Sequence, residues 1–162
     1  MPSVLVVHHS PTRSVRALTD AVVAGAGDDA IEGVEVVVRP ALEATAADVL
    51  AADGIVLGCS ANFGYMAGAL KHFFDSTFLE IGGALADDGA AGGSGGSGKL
   101  PFGLYVHGRY DAEGAVRSVL TIAGALPWRR SAEVLAVLGD VGDADTAAAY
   151  ELGGTIAALA AG

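Results

Sequence analysis

Five short apolar runs alternate with five stretches of helical periodicity, and this alternation limits the folds open to the chain more than any other feature. The runs are Ser3–His8, Val34–Arg39, Gly54–Gly58, Leu100–His107 and Ser131–Leu138. Most are Val-, Ile- or Leu-rich without strict polar alternation, as expected of strands covered on both faces in a parallel sheet. Between them, Val15, Leu18, Ala21, Val22 and Val23 mark an amphipathic helix. Ser14 is its predicted N-cap, and Gly25 or Gly27 its end. Ala46 to Ala52 reads as a short helix capped by Thr45, with Asp48 in its first turn. A third helix begins near Met66 and runs through Leu70, Phe73, Phe74 and Phe78; a fourth passes through Ala115, Val119 and Leu126 to a stop at Pro127. An Ala-rich fifth spans Thr146 to Ala161, and Trp128 is read as a structural plug. Strict alternation gives an α/β fold, a parallel sheet with helices on both faces. Five strands in 162 residues fit the order 2-1-3-4-5.

The length suits one domain, residues 1–162, with a proper core. No apolar run approaches the roughly 18 residues of a membrane span. Met1–Val7 enters the first strand without a basic segment, so no signal peptide is predicted. The single cysteine, Cys59, allows no intrachain disulfide, which points to the cytoplasm. Nine basic against 19 acidic residues give a net charge of −10. That argues against a nucleic-acid partner and suits docking on a basic redox partner. No His/Cys cluster has zinc-ligand spacing, so no metal site is predicted. Residues 82–99 hold eight glycines in eighteen positions and read as a flexible surface loop.

In the order 2-1-3-4-5 the carboxyl ends of strands one, three and four lie side by side, at the edge where open α/β sheets bind ligands. The first of the three loops there carries Ser10, Thr12 and Ser14 as hydroxyl donors, Arg13 and Arg16 as cations, and a helix N-terminus. That is a phosphate-binding composition. It has neither GxxxxGK[ST] nor GxGxxG spacing, which disfavours nucleotide hydrolysis and a dinucleotide fold. The second, Gly58 to Gly68, offers the faces of Phe63 and Tyr65, the amide of Asn62, and close backbone approach at Gly64 and Gly68. The third, Gly108 to Gly114, carries Arg109, Tyr110 and Asp111. Together they describe a phosphate pocket beside a slot for a flat ring. His8 and His107 end strands nearby and are read first as satisfying backbone groups, with protonation of an acceptor as the alternative. Cys59 is read as an inert core thiol. Phe78, Leu79 and Ile81 are candidates for an interface between subunits or for the core.

The segment Ser60-Ala61-Asn62-Phe63-Gly64-Tyr65-Met66-Ala67-Gly68-Ala69-Leu70-Lys71-His72-Phe73-Phe74-Asp75 resembles a run found after strand three in flavodoxin-like FMN proteins. The similarity is nearest to the branch of NAD(P)H-dependent FMN reductases and WrbA-type quinone reductases. Ser10, Thr12 and Ser14 resemble the hydroxyl positions of that family's phosphate loop, with Arg13 where many members have Gly; the strand-four loop resembles it only in kind, through Gly108 and Tyr110. The resemblance implies a flavodoxin-like three-layer sandwich that binds FMN. Ser10, Thr12, Arg13 and Ser14 would hold the phosphate. Ala61, Asn62, Phe63, Gly64 and Tyr65 would line the ring, with Gly108, Arg109, Tyr110 and Asp111 across from them. It further implies NAD(P)H as donor and ping-pong hydride transfer to quinones, flavins or similar small-molecule acceptors. Arg109 would stabilise the reduced ring, Tyr110 would stack on it or donate to it, and the protein would be a homodimer or homotetramer. A flavodoxin-type electron carrier and a flavin-free binding module are the alternatives. A response-regulator receiver is set aside, because His8, His9 and Cys59 stand where its acidic residues would be.

Overall fold

A computed structural model describes residues 1–85, 91–93 and 99–162 of the chain. Five parallel strands form the body of the sheet, which the two-residue strands Tyr65–Met66 and Arg129–Arg130 extend: β1 (Ser3–His8), β2 (Glu35–Pro40), β3 (Gly54–Asn62), β4 (Pro101–Gly108) and β5 (Leu135–Leu138). Their spatial order is β2-β1-β3-β4-β5, as the alternation predicts. The helices are α1 (Arg13–Ala26), α2 (Ala46–Leu50), α3 (Gly68–Thr77), α4 (Glu113–Ala125) and α5 (Asp143–Ala161).

Strand side chains alternate between two cores. Leu5, Val7, Ile55, Leu57, Cys59, Phe102, Leu104 and Val106 face α2, α3 and α4. Val4, Val6, Val56, Tyr105 and Val137 face α1 and α5. The second pair of helices packs unusually close, because two glycines meet backbone across the interface. A Cβ on Gly153 would stand 2.0 Å from Val22 O, and one on Gly25 would stand 1.9 Å from Tyr150 O. Trp128 is buried between the rings of Phe74 and Phe102, with centroids 6.3 and 6.1 Å away, and so plugs the end of α4 as its position suggests.

Four boundaries differ from the sequence reading. The fifth strand is broken: Arg129–Arg130 pairs with Pro101–Phe102 and Leu135–Leu138 with Tyr105–Gly108, in place of one run from Ser131. At the break, Ser131 N–H donates to Phe102 O and its hydroxyl donates to Arg129 O. Strand β3 runs four residues past Gly58, into what reads as loop. The α1 cap is Thr12, not Ser14; Thr12 Oγ1 accepts from Val15 N at 3.3 Å. Helix α5 starts at Asp143 because Asp145 accepts from Gly142 N, closing the first turn three residues before Thr146. Thr45 caps α2 as read, and Asp48 in the first turn completes a reciprocal capping pair with it.

In the Gly-rich segment Gly83–Leu85 pairs antiparallel with Ala91–Gly93; the flexible-loop expectation otherwise falls on 86–90 and 94–98, outside the described residues. Ile81 is fully buried and belongs to the core, whereas Leu79 is exposed. Among the described residues no helix is long and apolar enough to cross a membrane.

Candidate functional site

The sheet registers His8 beside Gly58, and Ser60 beside His107, so β1, β3 and β4 end together. His9 N donates to Gly58 O at 2.9 Å and ties the first loop to β3.

In that first loop the Ser10 hydroxyl is engaged inward. Ser10 Oγ lies 2.8 Å from His8 Nδ1 and 2.8 Å from Thr19 Oγ1, and Thr19 Oγ1 lies 2.6 Å from the hydroxyl of Tyr105. Thr12 caps α1. Arg13 is exposed, and among the described residues neither Arg13 nor Arg16 has an ion-pair partner. The N–H groups of Arg13 and Ser14 stand in the first helical turn, where no preceding carbonyl is available to accept them.

Beyond Ser60 the chain makes a hairpin. Ala61 pairs with Met66 and Asn62 with Tyr65, and the turn between them is Phe63-Gly64, with φ of 52° and 82°. Two positive φ values in succession are the hairpin-turn geometry that matches strand twist. The hairpin leans on the start of α4, where Ala115 N donates to Gly64 O at 2.6 Å. Ser60 Oγ donates to Asn62 Oδ1 at 2.9 Å, which engages that amide within its own strand.

A cleft of about 340 Å³ is lined by Ala61, Phe63, Gly64, Arg109, Tyr110 and Asp111. Phe63 is fully exposed at the hairpin tip and Tyr110 is 88% exposed. Asp111 Oδ1 accepts from Glu113 N at 3.0 Å at the start of α4. Gly108 packs against Ala61 and Asp111 with no room for a side chain. Arg109 reaches sideways: its Nη1 donates to Asp140 Oδ1 at 3.2 Å in an exposed pair that raises the guanidinium pKa. Tyr65 lines a different groove, with Lys71, Gly114, Arg117 and Thr121. A larger groove of about 730 Å³ runs from Tyr110 and Asp111 along α4 to Ala136 and Leu138. Its walls come mostly from α4 and the loop leading into it, with Ala136 and Leu138 of β5, so the smaller cleft, built at the carboxyl ends of β3 and β4, is the better-placed candidate.

No model of a known protein family matches the chain. A flavodoxin of Aquifex aeolicus (strain VF5) is 34% identical over 85 residues, 52% of this chain and 45% of that protein, so the match spans less than half of the relative's length. Among solved structures, an archaeal flavodoxin aligns with a TM-score of 0.76 at 18% identity, over 96% of each chain. The fold is flavodoxin-like. A flavodoxin, WrbA-like protein from Agrobacterium tumefaciens aligns at 0.73 and 16% identity over 99% of this chain and 98% of its own. Flavodoxin 1 from Bacillus cereus aligns at 0.73 and 15% identity over 95% and 96%.

Within this flavodoxin-like fold the predicted residues other than Asn62, which Ser60 engages, and Gly108, which packs against Ala61 and Asp111, divide into three places. Ser10, Thr12, Arg13 and Ser14 gather at the start of α1; Ala61, Phe63, Gly64, Arg109, Tyr110 and Asp111 share the cleft; Tyr65 faces elsewhere. His107 Nε2 lies 2.6 Å from Gly139 O, a strand-end contact with backbone. Cys59 is buried, and burial pushes its thiol pKa up to about 11. Sequence reasoning misses Thr19, Tyr105 and Asp140. Thr19 stands nine residues from Ser10, Tyr105 stands 86 from Thr19, and no spacing rule connects them.

Proposed function

We propose that the cleft receives the ring system of FMN, that the start of α1 receives its phosphate, and that the protein transfers electrons. One observation carries this reading: Phe63 and Tyr110, on separate loops, are both exposed and line the same cleft. Two unburied aromatic rings around one opening match a flat aromatic ligand, which would bury their faces. Phe63 holds a left-handed backbone conformation that costs a non-glycine residue energy, a feature that concentrates at ligand clamps. For the phosphate, the first-turn N–H groups of α1, the Ser14 hydroxyl and the exposed guanidinium of Arg13 form a fitting donor set. FMN held there supplies the redox chemistry. The chain's own residues bind it, shape the slot and set the charge around it.

Electron carriage is one mode. The Aquifex aeolicus relative is named a flavodoxin, and a charge of −10 suits docking on a basic redox partner. Arg109, which the reductase reading would use beside the ring, is paired with Asp140 at the surface. The second mode is NAD(P)H-dependent reduction of quinones, flavins or similar acceptors. It is favoured by the likeness of Ser60–Asp75 to the reductase branch and by the fold-level match to the WrbA-like protein. One experiment tests both. The protein is mixed with FMN, desalted, and its visible spectrum recorded under nitrogen before and after NADH or NADPH. Retained flavin supports the site. Prompt bleaching by the nicotinamide alone selects the reductase, and bleaching only with an added flavodoxin reductase selects the carrier. Colourless protein after desalting overturns the FMN reading.

A further inference from the structure

Three hydroxyls and one imidazole form an unbranched chain beneath the proposed phosphate loop: Tyr105, Thr19, Ser10 and His8 Nδ1, with separations of 2.6, 2.8 and 2.8 Å. Each of the three contacts needs one hydrogen, and each hydroxyl owns one. Tyr105 and Thr19 are buried, and among the described residues no other hydrogen-bond partner faces either hydroxyl. Burial keeps the phenol protonated, its pKa raised well above the ordinary value. The Tyr105 proton therefore goes to Thr19, and the Thr19 proton to Ser10.

The remaining contact depends on the imidazole. If His8 Nδ1 is bare, the Ser10 hydroxyl must donate to it, and every proton in the chain is spent inward. If Nδ1 carries hydrogen, it donates to Ser10 Oγ, and the Ser10 proton is left over. Ser10 is the only partly exposed hydroxyl of the three and stands at the loop that leads into α1, so the surplus proton emerges there.

We infer that His8 sets whether Ser10 donates to a bound phosphate: occupation of the loop by a phosphate monoester moves the imidazole proton from Nε2 to Nδ1 and turns the Ser10 hydroxyl outward. The inference rests on the proposed placement of the FMN phosphate. His8 acts here as a positioning residue, through Ser10. In the ligand-free protein the site favours the neutral ring. Burial, then Arg16 and His9, lower the His8 pKa, and Asp20 opposes them. The strands on either side place Pro40 and Gly58 beside it, neither of which titrates. A neutral imidazole has two tautomers, and which one is present follows from the partner at the other nitrogen.

Nitrogen NMR of the His8 ring in isotopically labelled protein reads the two tautomers directly. The expected result is an Nε2-protonated ring in the free protein near neutral pH and an Nδ1-protonated ring with saturating FMN. Riboflavin has the same ring system without the phosphate, and should leave His8 as in the free protein. Ser10→Ala should weaken FMN binding roughly tenfold or more while leaving riboflavin binding unchanged, as loss of one hydrogen bond to an anion does. A ring that keeps one tautomer in the free and FMN-loaded protein overturns the inference, and so does an identical response to riboflavin. Visible absorbance of the same samples separates this from failure of the FMN reading. Bound flavin with an unresponsive His8 sinks the relay alone, and absence of bound flavin sinks both.

Discussion

The ring of Tyr105 fills the space into which a side chain at Gly58 would project; a Cβ there would stand 1.8 Å from Tyr105 Cζ. The two residues are register partners on β3 and β4, so neither can move without disturbing the sheet. Gly58→Ala is expected to displace the ring, pull its hydroxyl from Thr19 and destabilise the fold by about 1–3 kcal/mol, the usual range for overpacking. Urea unfolding followed by circular dichroism checks this as a lowered midpoint with an unchanged slope.

Helices α1 and α5 supply a second steric test with an internal control. Gly153→Ala would drive a methyl group into Val22 O, and separation of the helices should cost a few kcal/mol, about the upper end of overpacking effects. Gly124 in α4 has nothing within 4 Å of its Cβ direction. Gly124→Ala should therefore gain about 0.5–1 kcal/mol from helix propensity and reduced unfolded-state entropy. Thermal melts should move in opposite directions.

Phe63 separates stability from ligand binding. Its φ of 52° is one that Asn adopts readily and Phe does not, and the next residue, Gly64, completes an Asn-Gly hairpin turn in the variant. Phe63→Asn is expected to raise unfolding stability by about 1 kcal/mol. The same change should weaken FMN binding roughly tenfold, consistent with loss of one aromatic face. Tyr110→Ala should also weaken binding without altering the melting temperature, because the ring is exposed and packs on no core. Flavin fluorescence titrations and melts on the same variants read the two effects separately.

The buried thiol predicts an alkaline limit. Cys59 ionises near 9 when exposed and is pushed up to about 11 in the fold, mainly by desolvation. Between those values the unfolded chain has released the proton and the folded chain retains it. Stability thus falls as pH rises through that window, by roughly 2–3 kcal/mol in all. Tyr105, whose pKa is also raised by burial, adds a loss in the same direction at the alkaline end. Cys59→Ala should flatten the profile just above pH 9 while leaving the Tyr105 component, as followed by urea midpoints across the range. The native thiol should also resist alkylation near neutral pH and react on unfolding.

The order of the five strands was legible because it depends on local periodicity: continuous apolar runs imply strands covered on both faces, and helices between them force parallel crossovers. The same logic identified the loops after β1, β3 and β4 as neighbours, and with them Ser10, Phe63 and Tyr110 as candidates. Tertiary structure decided where those side chains lie. Sequence reasoning treated Phe63 and Tyr65 as one aromatic pair, but the hairpin that reverses at Gly64 leaves Phe63 at the cleft and sends Tyr65 to the groove beside Lys71. Arg109 read as a free cation, yet a turn 31 residues later brings Asp140 to it. The hydroxyl chain from Tyr105 through Thr19 to Ser10 and His8 joins a strand, a helix and a loop. Periodicity shows which face of an element is apolar. It does not show which polar atoms on two distant elements come within hydrogen-bond distance, because that depends on how the helix seats against the sheet, and here two glycines and one buried phenol set that seat.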